Sequence, residues 1–171
     1  MNDRAILVTG SSSGIGKAIV AALLEAGAQV IGVSRTKSTA FSKNTSYTDI
    51  NVDIGDNISL ENELRTVLAD FPRLDGLICN AGFGKFDNLE NVSSEQIASY
   101  INLNLVSHMI ITRIVIPHFK KNTRGDIIFM GSESALEGKK MGSLYSAAKF
   151  GLRGFAPVSY THLTLPTTPY V

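Results

Sequence analysis

Tyr145 and Lys149 stand four residues apart, one helical turn on a single face, and Ser132 lies thirteen residues upstream of Tyr145. This trio offers a proton donor, a fixed cation beside it and a hydroxyl for a substrate oxygen. A free tyrosine ionises at about 10, too high to shuttle protons well at neutral pH, so a catalytic tyrosine needs a cation that favours its phenolate. Lys149 is placed to be that cation, and its ammonium can also hold ribose hydroxyls of a nucleotide. Ser132, expected at the C-terminal end of a strand, sits where open α/β sheets bind ligands and can hydrogen-bond a substrate oxygen. A Tyr-x-x-x-Lys pair alone is common on solvated helix faces. Here it accompanies a glycine-rich turn, Thr9-Gly10-Ser11-Ser12-Ser13-Gly14-Ile15-Gly16, and Asn80-Ala81-Gly82.

The turn directly follows an apolar run, Ala5-Ile6-Leu7-Val8. Gly10 lets the chain turn tightly, Gly14 allows close approach by a pyrophosphate, and Gly16 lets the following helix pack on the sheet. Unpaired N–H groups and the positive end of the helix dipole favour an anion there, with the hydroxyls of Ser11, Ser12 and Ser13 as further donors. The end of the next strand selects the nucleotide. A site for NAD(H) normally places a carboxylate there, about twenty residues after the glycines, to accept from the ribose hydroxyls. This chain has Ser34-Arg35 instead. Arg35, with Lys17 or Lys37 as helpers, can pair with a 2′-phosphate, so NADP(H) is the expected cofactor and NAD(H) the alternative.

The elements that must hold these residues alternate. Residues 4–9 read as a buried strand, 14–26 as a helix capped by Gly27, 28–33 as a second strand, 38–46 as loop and 47–52 as a short third strand. A helix over 59–71 stops at Pro72, and 74–80 is the fourth strand. Ser93-Ser94-Glu95-Gln96 has capping-box form and opens a long helix to about Lys120; 126–130 is the fifth strand, and the last helix starts near Ser143. Apolar strands separated by helices predict a doubly wound parallel sheet, a three-layer α/β/α Rossmann-type domain over residues 1–156.

Sixteen basic against fifteen acidic side chains give a net charge of +1, without the basic run that a nucleic-acid footprint needs. The short charged lead and brief apolar run at the N-terminus are too short for a signal peptide or a membrane span, so a cytoplasmic, soluble protein is expected. The single cysteine, Cys79, lies in an apolar run and reads as a buried, inert thiol. His108 and His118 have no carboxylate or cysteine at ligand spacing and read as surface or interface residues, with no metal expected.

The motifs resemble those of the short-chain dehydrogenase/reductase superfamily, in its branch with a Thr-Gly-x-x-x-Gly-Ile-Gly turn, from Ala5 to about Phe155. The resemblance implies a carbonyl or alcohol as small-molecule substrate. It makes Tyr145 the proton donor in reduction and acceptor in oxidation, Lys149 its electrostatic partner and ribose ligand, and Ser132 the group that polarises the carbonyl. Asn104 is similar to the family's fourth catalytic residue, which holds a water in a proton relay; Asn102 competes for that part. Asp53 resembles the residue that contacts adenine, and Asn80, Ala81 and Gly82 the segment that lines the cofactor site. Where the family usually has a serine pair before the site, this chain has Gly131-Ser132.

From Val158 onward the chain carries no acidic or basic side chain and no helical or alternating period. The stretch resembles translated adapter from a transposase-made sequencing library: GTC TCT TAT ACA CAT CTG ACG CTG CCG ACG spells Val158 through Thr167. Residues 157–171 are therefore expected to be an artefactual tail replacing two further strands and a substrate-covering segment, leaving this chain inactive and its parent an enzyme. A sheet edge left bare by that loss would invite aggregation. The helix before the fifth strand is apolar nearly all round (Leu105, Val106, Met109, Ile110, Ile111, Ile114, Val115, Ile116), which predicts a second buried face, covered in a homodimer or homotetramer or by further chain. Two other classes stay open: a noncatalytic NADP(H) sensor, which has no evident need for Ser132, Tyr145 and Lys149 together, and an epimerase or dehydratase using its cofactor transiently.

Overall fold

The computed structural model describes residues 1–160. Five parallel strands run β3-β2-β1-β4-β5 across one sheet: β1 (Ala5–Thr9), β2 (Gln29–Ser34), β3 (Tyr47–Asn51), β4 (Leu74–Cys79) and β5 (Asp126–Phe129). Leu7 is in register with Ile31 on one side and Leu77 on the other, and Leu77 with Ile127. This transverse apolar row is buried under α2 (Asn57–Asp70) and α4 (Ser107–Lys121) through Leu60, Leu64, Val67, Ile111, Val115 and Phe119. On the opposite face Ile6, Val8, Val30 and Ile78 pack against Val20 of α1 (Gly14–Glu25). Side chains alternate along each strand, so apolar runs fill two cores, the arrangement expected of a doubly wound sheet. Ile128 of the edge strand β5 points to the α1 side and remains 51% exposed.

Helix boundaries follow their caps. Asp56 accepts from Ile58 N and Ser59 N, so α2 begins at Asn57, two residues before the start expected at 59. The box at Ser93 forms as expected: Ser93 N donates to Gln96 Oε1 (3.0 Å) and Gln96 N to Ser93 Oγ (3.3 Å). The long helix that it opens is not continuous. α3 (Ser94–Ile101) passes through a π-turn, Asn102–Val106, before α4 resumes, and the extra residue in that turn rotates Asn104 into the structure. Taken together, the 28 residues Ser94–Lys121 include an 18-residue window of mean hydropathy 1.2, the length and apolarity of a membrane span, while the helix lays its buried face on the sheet.

Part of its second apolar side finds partners within the chain. Leu103, Ile110, Ile114 and Ile116 pack onto the main core. Leu105 lies against Gly151 of α5 (Ser143–Tyr160), where a Cβ would come within 2.7 Å of it. Helix α5 itself continues past Pro157 to Tyr160, although no helical period is evident there in the sequence. The rest of the stretch read as adapter, 161–171, lies outside the described residues.

At the N-terminal end of the sheet the carboxylate of Asp75 is 5% exposed and meets Arg4 Nε (2.7 Å), Arg124 Nε (2.8 Å) and the amide of Ala5 (3.1 Å). Arg4 also reaches Asp126 (2.6 Å), which ties β1, β4 and β5 together. Removing the buried anion leaves the Ala5 amide without its acceptor, Arg124 without its counter-ion and Arg4 with Asp126 alone. Asp75→Ala is expected to cost about 3 kcal/mol in urea unfolding, with cofactor affinity unchanged because the network lies at the far end of the strands from the glycine turn.

Candidate functional site

Above the C-terminal ends of the strands lies an open cleft of about 520 Å³, bounded by the glycine turn, the ends of β2 and β4, the π-turn and α5. Gly10 (φ +70°) and Gly14 (φ +52°) both occupy the left-handed region. A Cβ on Gly10 would press on Ala81 Cα and Asn80 Nδ2, each at 2.9 Å, and one on Gly16 would overlap the Gly10 carbonyl. A Cβ on Gly14 would meet nothing within 4 Å, so that glycine faces the open cleft. Ser13, the N-cap of α1, makes no side-chain capping bond, and Lys17 is the first residue whose N–H returns to the turn, at Ser13 O (3.1 Å). The N–H groups before it face the cleft with the helix dipole behind them, a cradle suited to a diphosphate.

Ser12 and Ser13 line this cradle; Ser11 does not. The Ser11 hydroxyl is fully buried beneath the turn beside Tyr47 Oη (3.5 Å), and its amide points to Val33 O (3.4 Å), so it braces the turn rather than donating into the cleft. Burial pushes the Tyr47 phenol up to about 12, and its hydroxyl donates to Asp49 (3.0 Å).

At the far end of the cleft stand Ser34, Arg35 and Asp53. Asn51 Nδ2 donates to the carbonyls of Ser34 (3.3 Å) and Arg35 (2.8 Å), fixing the backbone that presents the guanidinium. The Ser34 hydroxyl is spent on Thr36 O (2.7 Å), whereas Arg35 is exposed and, among the described residues, pairs with no carboxylate. Lys17 and Lys37, expected as its helpers, are exposed and do not line the cleft. Asp53 Oδ1 accepts from Gly55 N (2.9 Å), which leaves its second oxygen toward the cleft rim.

Asn80 stitches the floor. Its Nδ2 donates to Thr9 O (3.0 Å), while Asn80 N and Ala81 N both donate to Thr9 Oγ1 (3.0 Å each). Gly82 approaches Asn104 so closely that a Cβ would lie 2.6 Å from its Oδ1. The two asparagines of the π-turn separate cleanly. Asn104, 1% exposed, accepts from Phe83 N (3.0 Å) and donates to Tyr100 O (3.0 Å) at the cleft wall. Asn102 instead bonds Asn57 (3.0 Å) and Gly55 O (2.7 Å) near the start of α2.

On α5, Lys149 Nζ donates to Met130 O (2.6 Å) and sits 5.7 Å from the centre of the Tyr145 ring. The lysine is 7% exposed, and burial pushes its ammonium down from the ordinary lysine range. Ser132 lies one residue beyond the lining Gly131 and caps a short 3-10 turn by accepting from Ser134 N (3.2 Å); its own hydroxyl proton is left to donate. The Met130 carbonyl and the Thr9 hydroxyl are site residues that spacing did not single out, because a backbone oxygen carries no sequence signal and Thr9 reads first as a strand residue.

Cys79 is buried next to this group, and burial pushes its thiol up. His118 is half-buried and meets Asn122 Nδ2 (3.1 Å). His108 is not a surface or interface residue: it is 1% exposed, its Nε2 lies 2.8 Å from Ala81 O, and its Nδ1 is buried without a partner among the described residues. Burial first, and Lys149 nearby, push this imidazole down to about 4, against the Ala81 contact, which raises it. A base whose folded value lies below its unfolded value of about 6.5 stabilises fully above that pH, and the contribution is lost as pH falls from 6.5 through 4. His108→Gln should therefore remove about 3 kcal/mol of the acid-side loss of stability, read as a flatter urea midpoint against pH than in the natural chain.

The family model described as short chain dehydrogenase matches residues 4–163. A 3-ketodihydrosphingosine reductase of Bacteroides thetaiotaomicron is 33% identical over 91% of this chain and 57% of its own length. The 3-oxoacyl-(acyl-carrier-protein) reductase FabG of Salmonella typhimurium is 35% identical over 88% of this chain and 63% of its own. The chain thus spans about three-fifths of the length of the curated relatives it matches. A metagenomic short-chain oxidoreductase solved in complex with NADP superposes with a TM-score of 0.87 at 26% identity, covering 95% of this chain and 77% of that one. The chain belongs to the short chain dehydrogenase family, and its fold agrees with this likeness.

Proposed function

We propose that the protein is an NADPH-dependent oxidoreductase that interconverts a carbonyl and an alcohol. The observation that carries the reading is the placement of Tyr145 and Lys149 on one wall of the cleft whose other end is the uncapped α1 N-terminus and Arg35. Gly14, Ile15 and Gly16 would offer their amides to the diphosphate, Arg35 would hold the 2′-phosphate and Asp53 would bind the adenine. When bound, the nicotinamide supplies a hydride to the carbonyl carbon or takes one from the alcohol.

The chain's own residues manage the proton. In reduction Tyr145 Oη gives its proton to the substrate oxygen, and in oxidation it takes that proton back. Lys149 stabilises the phenolate left behind; its position is set by the Met130 carbonyl and by burial, so the charge acts through little water. The Ser132 hydroxyl polarises the substrate oxygen. We assign the domain to residues 1–156 and the activity to the protein translated from the whole natural reading frame. The half-buried Val106 and Met109 are the proposed contact for a second copy, so light scattering at micromolar concentration should read a dimer or tetramer; a monomer would contradict it.

NADPH oxidation by that protein with ketones, aldehydes and 3-oxoacyl thioesters tests the activity; binding of NADPH without oxidation on any of them would favour a sensor. Cofactor choice is tested separately. Arg35→Ala removes one charge-assisted contact and should weaken NADPH binding by roughly 10- to 100-fold while leaving NADH affinity unchanged. Equal affinities for the two cofactors in the natural chain would overturn the preference.

A further inference from the structure

Residues 81–85 cross the cleft wall with no strand or helix of their own, and Gly82 to Lys85 are exposed. Such a strap keeps one shape only where something holds it. Three side chains on one helix do so. Tyr100 Oη donates to Phe83 O (2.7 Å) and accepts from Lys85 N (3.2 Å). Asn104 Oδ1 accepts from Phe83 N (3.0 Å), and His108 Nε2 reaches Ala81 O (2.8 Å). The three recur at intervals of four residues across the π-turn, so successive turns of one face meet successive residues of the strap.

The His108 ring is the informative member. A carbonyl only accepts, so Nε2 carries the proton and Nδ1 is the bare nitrogen, buried and unpartnered. An apolar side chain would avoid that orphaned nitrogen, and nothing else in the neutral ring's surroundings uses its polarity. Lys149 of α5 is the charged group acting on it; a second cation next to Lys149 is unfavourable, so the ring stays uncharged and keeps its one donor on Ala81.

We infer that His108 and Tyr100 are positioning residues that clamp the 81–85 strap to the α3–α4 helix and thereby set the shape of the cofactor cleft. The inference rests on the proposed cofactor reading for its consequence, and on hydrogen bonds of the free chain for its cause. His108→Leu keeps an apolar side chain in the pocket and removes the donor, Tyr100→Phe removes only a hydroxyl, and His108→Gln places an amide nitrogen the same number of bonds from Cβ as Nε2.

Amide hydrogen exchange across 81–85, measured without cofactor, should quicken about tenfold in His108→Leu and, at Lys85, in Tyr100→Phe. The NADPH dissociation constant of the whole protein should rise about tenfold in both, with kcat at saturating NADPH within twofold, and His108→Gln should restore exchange and affinity. Unchanged exchange in the strap, with only the melting temperature lowered, would overturn the clamp. Faster exchange with unchanged NADPH affinity would overturn its bearing on the cleft. If the natural protein binds no NADPH at all, the cofactor reading fails, and strap exchange by itself still decides whether the clamp exists.

Discussion

Tyr145→Phe should lower kcat by roughly 10³-fold and leave NADPH affinity within twofold. The substitution removes one oxygen and keeps the ring, so the 6.0 Å contact with Phe86 and the packing against Gly84 remain. What is lost is the group that moves the proton. The Lys149 ammonium, anchored on Met130 O at 2.6 Å, is retained in the variant. Comparable turnover in the variant would remove Tyr145 from the chemistry. A collapse of NADPH binding together with kcat would mean that the tyrosine acts on the cofactor site rather than on the proton.

The glycine turn carries the second large effect, and two neighbouring glycines should behave oppositely. Gly16→Ala places a Cβ onto the Gly10 carbonyl and within 2.5 Å of Asn80 Nδ2. Both are anchored, the carbonyl as backbone and Asn80 by its bonds to Thr9, so the turn must open. A loss of about 3 kcal/mol or more in urea unfolding is expected, with failure to fold as its extreme. Gly14→Ala meets no neighbour; its cost is the left-handed conformation, about 1 kcal/mol. Its methyl stands where the diphosphate must approach, so NADPH affinity should fall by at least about tenfold in a protein that still folds. If both variants proved equally stable, the close packing of α1 onto the turn would be wrong.

Much of this architecture was legible because it rests on side-chain pattern. Apolar strands at residues 5–8 and 74–79, the capping box at Ser93 and the glycine spacing each have a local cause, and the sheet and the cradle follow from them. The parts that were not legible depend on backbone or on distant partners. The π-turn at Asn102–Val106 has no compositional mark, yet it turns Asn104 to the cleft wall and Asn102 to the start of α2. Ser11 looks like its neighbours in sequence and is buried because the turn folds it under the sheet against Tyr47. His108 reads as an isolated polar residue in an apolar helix until Ala81, twenty-seven residues away, supplies its acceptor. The apolar excess of α4 pointed outward in sequence and is met in part by α5 and by the core.

Hydride transfer itself is tested most directly with NADPH carrying deuterium at C4, on each face in turn, and a carbonyl substrate turned over by the protein from the whole reading frame. One of the two labelled cofactors should deliver one deuteron to the carbinol carbon of the alcohol for each NADPH oxidised, and Tyr145→Phe should suppress that transfer. An alcohol free of deuterium from both, or substrate conversion without net loss of NADPH, would contradict the assignment.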